Sequence, residues 1–285
     1  MNIILRPGQP ADAESCGVIC YEAFKAIADQ HNFPADFPNA GAAIGMMHHL
    51  FSRADVYSVV AEADGRIVGS NFLWFDNLVA GVGPITIDPG HQNGSVGKKL
   101  MQDVIREGKE RNMAGVRLCQ SAYHNRSFSL YSKLGFTLRE PLAVLNGNAL
   151  ANSLPGYPVR PAIEADLPAC NQLCYEVHGH HRNGELLNAI KSSTAQVVEY
   201  NGKITGYSTQ VGFFGHAVAA GNNELKALIG AAPIFAGPGF LLPSRNAEVF
   251  RWCVNQGLRV TQPMTLMSMG LYNEPAGAFL PSVLY

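Results

Sequence analysis

The chain has 285 residues, enough for one large domain or two ordinary ones, and 47% of them are hydrophobic, which supplies a real core. Lysine and arginine total 21 against 22 aspartates and glutamates, so the net charge of −1 excludes a general attraction to nucleic acid or anionic membrane. No apolar run is long enough to span a bilayer and no secretory signal pattern precedes the first structured segment, so the expectation is a cytoplasmic protein whose six cysteines are reduced.

In chain order, IILR (3–6) predicts a short strand. A helix follows with Cys16, Ile19, Cys20, Ala23 and Ile27 on one face, and a second helix is expected over 40–52. VYSVVAEADGRIVGSNFLWFD (56–76) predicts two strands around the turn Ala63-Asp64-Gly65, and VGPITI (82–87) another strand. A helix from Ser95 carries Val96, Leu100 and Val104 on one face, with Lys98, Lys99, Gln102, Asp103 and Arg106 elsewhere. AGVRLC (114–119) reads as a strand, NRSFSLYSKL (125–134) as a helix and FTLREPLAVLNG (136–147) as a strand pair.

The order then repeats. LRPGQPADAESCGVICYEAF (5–24) aligns without a gap on VRPAIEADLPACNQLCYEVH (159–178), and FSLYSKLGFTLREPLAVLNG (128–147) resembles FRWCVNQGLRVTQPMTLMSMG (250–270). A repeat of half the chain means a duplicated domain rather than a solenoid. The seam is GNALANSLPGY (147–157), uncharged and rich in Gly, Asn, Ser and Pro, which predicts domains over 1–148 and 155–285. The second copy has VVEYNGKITGYSTQVGFF (197–214) as its hairpin and NAEVFRWCVNQ (246–256) as its late helix.

One stretch occurs only once. IDPGHQNGSVGKKLM (87–101) joins a strand to a helix with Gly90, Gly94 and Gly97 and no acidic residue after Asp88. Free N–H groups and the positive dipole end at a helix start make an anion site, and glycines let a ligand approach the backbone. The stretch therefore reads as a phosphate cradle, with Lys98 and Lys99 adding charge. It is neither a P-loop, since Lys99 stands where Ser or Thr is needed, nor a G-x-G-x-x-G dinucleotide turn.

Here the sequence resembles the GNAT superfamily of acetyl-CoA-dependent N-acetyltransferases, whose pattern is Val-x-Pro-x-x-(Gln/Arg)-x-x-Gly-x-(Gly/Ala). Ile87, Pro89, Gln92, Ser95 and Gly97 fall on it, with Ser95 in place of the usual glycine. A later family pattern, Asn-x-x-Ala-x-x-x-Tyr-x-x-x-Gly-Phe, is met by HNRSFSLYSKLGF at Tyr131, Gly135 and Phe136; His124 takes the Asn place and Asn125 comes one residue late. The resemblance implies an α/β fold, a mixed sheet flanked by helices, in two tandem GNAT-like domains. The second is degenerate: no cradle lies in FFGHAVAAGNNELKALIGAA, and Cys253 stands where Tyr131 stands.

The resemblance also implies a site. Ile85 and Ile87 would pair with the pantetheine arm of acetyl-CoA. The amides of Gln92, Asn93, Gly94, Ser95, Val96 and Gly97 would hold its diphosphate, helped by Lys98 and Asn125. A backbone N–H near Ile87 would stabilise the oxyanion, and Tyr131 would protonate the departing thiolate. For the base, Asp76 stands ahead of His124 and His91, with ordered water as a further route. The segment QHNFPADFPNAG (30–41) would wall the acceptor pocket with Phe33, Phe37 and Asp36. The implied activity is transfer of an acetyl group to a primary amine of a small-molecule acceptor by direct attack; the alternative is a non-catalytic acyl-CoA-binding or regulatory protein. No nucleic-acid or membrane partner is expected, and homodimerisation is left open. The paired cysteines at i, i+4 lie on apolar stripes and read as core rather than metal ligands, and His178, His180 and His181 read as solvated.

Overall fold

The computed structural model describes residues 2–92 and 94–284. It forms two compact units, Met1–Leu118 with Tyr123–Phe136, and Cys119–Ala122 with Thr137–Tyr285.

In the first unit, β1 (Ile3–Pro7), β2 (Val56–Ala63), β3 (Arg66–Trp74) and β4 (Val79–Val82) are antiparallel neighbours, and β4 pairs in parallel with the start of β6 (Gly115–Ser121). A two-residue strand, β5 (Thr86–Ile87), also pairs with β3. Helices α1 (Ala13–His31), α2 (Ala40–Ser52), α3 (Val96–Glu110) and α4 (Asn125–Lys133) complete it. Asp64 and Gly65 both take positive φ, 50° and 75°, the geometry that matches a two-residue hairpin to strand twist. Cys16 and Cys20 of α1 are buried with Met47 and Leu50 of α2 and with Val60 and Phe72 of the sheet. Burying each large side chain of that set contributes roughly 1.5–3 kcal/mol. The helices can approach because residue 17 is glycine: a Cβ there would lie 2.5 Å from the Ile44 Cα.

The second unit contains β7 (Thr137–Asn146), β8 (Val159–Pro161), α5 (Leu167–His178), α6 (Asn183–Lys191), β9 (Gln196–Tyr200), β10 (Lys203–Ser208), β11 (Ala217–Ala219), α7 (Asn222–Ala231), β12 (Phe240–Pro243), α8 (Ala247–Asn255), β13 (Arg259–Gly270) and β14 (Ala278–Leu280). One sheet runs β14-β11-β10-β9-β8; in the other, β7 lies between β13 and β12. The expected strand pair at 136–147 is thus a single long strand. It forms no hairpin because both its edges are taken, by residues 259–268 of β13 and 240–243 of β12. Its buried Glu140 is held by Arg245 through Nε at 2.7 and 3.0 Å.

The duplication is visible in detail. Arg6 donates to Asp12 at 2.8 and 2.9 Å and to Glu62 at 2.8 Å; Arg160 donates to Asp166 at 2.7 and 2.9 Å and to Glu199 at 2.8 Å. Asp12 also accepts the Gln9 N–H, and Asp166 the Ile163 N–H, so each aspartate ties the strand to its first helix. The turn Asn201-Gly202 repeats Asp64-Gly65, with φ of 51° and 72°.

Candidate active site

The site is built on an interruption in the first sheet. β4 pairs with β6 only at Val79–Gly81, opposite Gly115–Arg117. Beyond an irregular stretch at 83–85, β5 resumes on β3 alone, with Gly69 opposite Ile87 and Ser70 opposite Thr86. From Val82 to Ile87 the chain therefore presents one strand edge that no other strand takes among the described residues. Asp88 donates its N–H to Val68 of β3 at 2.9 Å, so alternation turns the N–H and C=O of Ile87 to the open edge. Ile85 sits within the irregular stretch, half-buried.

That edge runs into the glycine-bearing turn. The Asp88 carboxylate accepts the Gly90 N–H at 2.7 Å, Gln92 is extended, and Ser95 is left-handed at φ 65° before α3 begins at Val96. The glycine replaced by Ser95 would hold this conformation without strain; serine holds it at a cost. At Gly97 a Cβ would lie 3.2 Å from Ile87 Cδ1 and 3.5 Å from Leu130 Cδ2, so a side chain would crowd both strand and α4. Lys98 is exposed, whereas Lys99 Nζ bonds the Ile3 carbonyl at 3.2 Å and is drawn towards β1. Arg126, not foreseen from the sequence, donates from Nη2 to Gln92 Oε1 at 3.2 Å. Asn93 lies outside the described residues, and Asn125 is exposed at the start of α4.

Helix α4 holds two of the expected groups. Tyr131 is 6% exposed, its hydroxyl has no hydrogen bond among the described residues, and burial alone pushes its phenol above the ordinary range. His124 is the residue before the helix; burial, then the charges of Arg126 and His31, hold its imidazole below the usual histidine range. It is neutral at pH 7. Tyr123 beside it stacks on Phe33, with centroids 4.1 Å apart and planes 7° apart, and meets His31 at 5.3 Å. Phe33 thus reaches the α4 end of the unit. Phe37 does not: its ring packs edge-on to Phe24 at 5.8 Å in the helical core. Asp36 is half-buried and near enough to Cys20 to raise its thiol.

Asp76 falls elsewhere. β3 ends at Trp74, so Asp76 is in the bend after the strand, while Gly69 is the β3 residue opposite Ile87. Asp76 therefore follows the Trp74 end of β3, seven residues along the chain from Gly69.

Residues 22–136 match the acetyltransferase (GNAT) family. This stretch is a GNAT domain. No curated protein matches the sequence. Solved structures similar to the whole chain include a putative acetyltransferase from Pyrococcus horikoshii, 16% identical over 97% of this chain and 94% of that one, with a TM-score of 0.71. A GCN5-related N-acetyltransferase from Sphaerobacter thermophilus is 15% identical over 95% and 96%, with a TM-score of 0.61. A tandem GNAT protein from the clavulanic acid biosynthesis pathway is 12% identical over 94% and 98%, with a TM-score of 0.55. At these identities the likeness is one of fold, and it runs the length of the chain.

The second copy keeps the register of the GNAT domain and closes its opening. Ala220 donates to Thr205 O at 2.8 Å and Gly206 faces Ala219, as Asp88 donates to Val68 and Gly69 faces Ile87. Only Ala220 and Gly221 separate β11 from α7, against residues 88–95 in the GNAT domain. The edge equivalent to the open one is filled: β14 pairs there, with Ala217, Val218 and Ala219 opposite Leu280, Phe279 and Ala278. The first turn of α7 carries its own carboxylate, the largely buried Glu224. Cys253 is fully buried in core.

The histidines at 178–181 correct the sequence reading. His178 and His180 are buried, and only His181 is exposed: Phe279 of the tail strand packs edge-on to His178 at 5.2 Å, and the His178 and His180 rings lie 6.0 Å apart. Cys16, Cys20, Cys170 and Cys174 are buried thiols in no disulfide; burial pushes those of Cys16 and Cys170 up to about 12. Among the described residues, no group of three or more His, Cys, Asp or Glu is placed to hold a metal ion, and no helix is long and apolar enough to cross a membrane.

Proposed function

We propose that the GNAT domain transfers an acetyl group from acetyl-CoA to the primary amine of a small molecule by direct attack. One observation carries the reading: the open edge at Ile87 leads directly into the acid-free turn and the start of α3. The amides of the pantetheine arm suit a strand edge, with Ile87 offering both N–H and C=O. The diphosphate suits the amides from Gln92 to Gly97, where free N–H groups and the helix dipole favour an anion.

The free amine attacks the thioester carbonyl; a C–N bond forms and the C–S bond breaks. A backbone N–H near Ile87 is the donor for the developing oxyanion. As the C–N bond forms, the nitrogen becomes strongly acidic, and neutral His124 takes its proton. His124 is taken as the base ahead of Asp76, which lies in the bend after Trp74. Tyr131 hydrogen-bonds the leaving sulfur and gives it a proton. A phenol is the weaker acid, by about 1.5 units against a thiol in water, and burial of Tyr131 widens the gap. The proton therefore moves late, and the one His124 takes balances the one Tyr131 gives up.

Calorimetric titration with acetyl-CoA tests this, together with thiol release across a panel of amines. The expectation is one acetyl-CoA per chain, lost in Gly97→Glu, and thiol release with at least one amine. Binding without release for any amine would favour the acyl-CoA-binding alternative. No binding by the folded protein would end the proposal.

A further inference from the structure

The interruption in the first sheet is a mismatch of one residue. Between Ser70 and Leu73, β3 has only Asn71 and Phe72; the facing chain, between Val82 and Thr86, has residues 83–85. An extra residue on one strand is a β-bulge, which disrupts the ladder locally. The disruption begins at Phe72 and Gly83. Gly83 donates its N–H to the Phe72 carbonyl at 3.0 Å. An ordinary antiparallel pair of this kind exchanges a second bond, here from Phe72 N–H to Gly83 C=O. Side chains take both of those groups instead. Asn71 Oδ1 accepts the Phe72 N–H at 2.9 Å, and Trp74 Nε1 donates to the Gly83 carbonyl at 2.9 Å. Each thus holds one half of the backbone pair that would otherwise close. Both side chains are themselves held. Asn71 is fully buried, and its Nδ2 reaches the Leu100 carbonyl at 3.4 Å and Met101 Sδ at 3.5 Å, which ties the bulge to α3. The Arg53 guanidinium lies 4.9 Å over the Trp74 ring.

We propose that Asn71 and Trp74 are positioning residues: as a clasp, they keep Phe72 and Gly83 from pairing fully and so hold open the strand split beside Ile87. The drive to close is strong, because a buried backbone N–H or C=O without a partner is unfavourable. Without the clasp, Phe72 N–H and Gly83 C=O regain each other, and the extra residue is pushed towards Thr86 and Ile87. A slip of one residue there turns the N–H and C=O of Ile87 from the open edge towards β3. The effect on catalysis rests on the acetyl-transfer reading, in which that edge presents the thioester.

The test compares the full chain with Trp74→Phe, Asn71→Leu and the double variant. Trp74→Phe keeps an aromatic ring and removes the indole donor. Thiol release from acetyl-CoA, with the best acceptor of the amine panel, gives kcat; calorimetry gives the Kd of coenzyme A; a crystal structure of Trp74→Phe gives the distance from Phe72 N to Gly83 O. Trp74→Phe is expected to lower kcat about 10–100-fold, since a misplacement of roughly 1 Å has effects of that size, while the Kd stays within about threefold of wild type. Because the two side chains hold one split, the double variant is expected to lose no more than the worse single variant. In the crystal structure, Phe72 N and Gly83 O are expected within hydrogen-bond distance. An unchanged kcat in Trp74→Phe, or single losses that multiply in the double variant, overturns the clasp. So does a Kd that weakens in step with kcat, which would mean that the residues serve the fold at large. If Asn71→Leu does not fold, the kcat, Kd and structure of Trp74→Phe decide. If wild type releases no thiol with any amine, the acetyl-transfer reading fails by itself, and the crystal structure decides the clasp: an unchanged split overturns it.

Discussion

At the residue scale, the proposed chemistry rests on two side chains whose environments differ. Tyr131 is buried at 6% exposure, with a hydroxyl that no described residue engages and that is therefore open to a ligand. Tyr131→Phe is expected to lower kcat by 10²-fold or more while acetyl-CoA affinity, measured by calorimetry, stays within a few-fold. An equal kcat would remove the tyrosine from the mechanism. His124 has a lowered pKa, so its neutral form persists to below the ordinary value of 6.5. The acid limb of kcat/KM should therefore fall below pH 6.5. Arg126 is one cause of the lowering, and Arg126→Gln should move that limb to higher pH; a pH–rate profile of the two proteins reads the shift. The residues were legible to different degrees. Tyr131 and the glycines announce themselves by spacing. Arg126 does not, because its meaning comes from Gln92, which is 34 positions away.

At the element scale, helical periodicity made α3 legible, since its buried residues include Val96, Leu100 and Val104 as the pattern requires. Close approach between helices is harder to read. Gly17 resembles any helical glycine, but the Ile44 backbone occupies the place of its Cβ. Gly17→Ala removes the entropic cost of glycine in a helix, a stabilising change of roughly 0.5–1 kcal/mol, and adds a backbone clash of about 1–3 kcal/mol. The net expectation is a lower urea midpoint with the m-value unchanged; a higher midpoint would mean that α2 moves aside freely. The closed edge of the second copy makes the complementary prediction. Phe279→Ala should cost about 3 kcal/mol because the ring is buried against His178. It should leave acetyl-CoA binding at one per chain, since Ala220 and Gly221 still leave no room for a cradle. A second equivalent of acetyl-CoA in this variant would show that the tail strand alone was the barrier.

At the scale of the whole molecule, the second unit holds an acid-sensitive group. His216 Nε2 meets the Tyr207 hydroxyl at 3.1 Å, and Nδ1 lies 3.4 Å from Thr209 Oγ1 and 3.6 Å from Glu185 Oε2. The carboxylate would favour a charged imidazole, but Arg182 binds Glu185 through two bonds, at 2.6 and 2.9 Å, and neutralises it. Burial, then Arg182, His178 and His180, holds His216 well below the usual histidine range. A histidine that is harder to protonate folded than unfolded adds stability that is full above about pH 6.5 and is lost as pH falls below it, by up to ~1.4 kcal/mol per unit. Urea unfolding at pH 7.5 and 5.5 should show that loss, smaller in His216→Gln; an identical loss in the variant would place the sensitive group elsewhere.

The sequence by itself determined the duplication, the two tight hairpin turns, the α/β class and the glycine-bearing turn before α3. These depend on residues close in the chain: glycine's freedom at positive φ, the helical period, and free N–H groups at a helix start. Tertiary structure alone decided which edge stays open. The filling strand, β14, lies 59 positions from its partner where Ala278 meets Ala219, and its Phe279 also packs on His178, which local composition made look solvated. It decided too that Phe33 is brought to Tyr123. Burial and pairing depend on which distant segments meet in space, and spacing within a short motif records none of that.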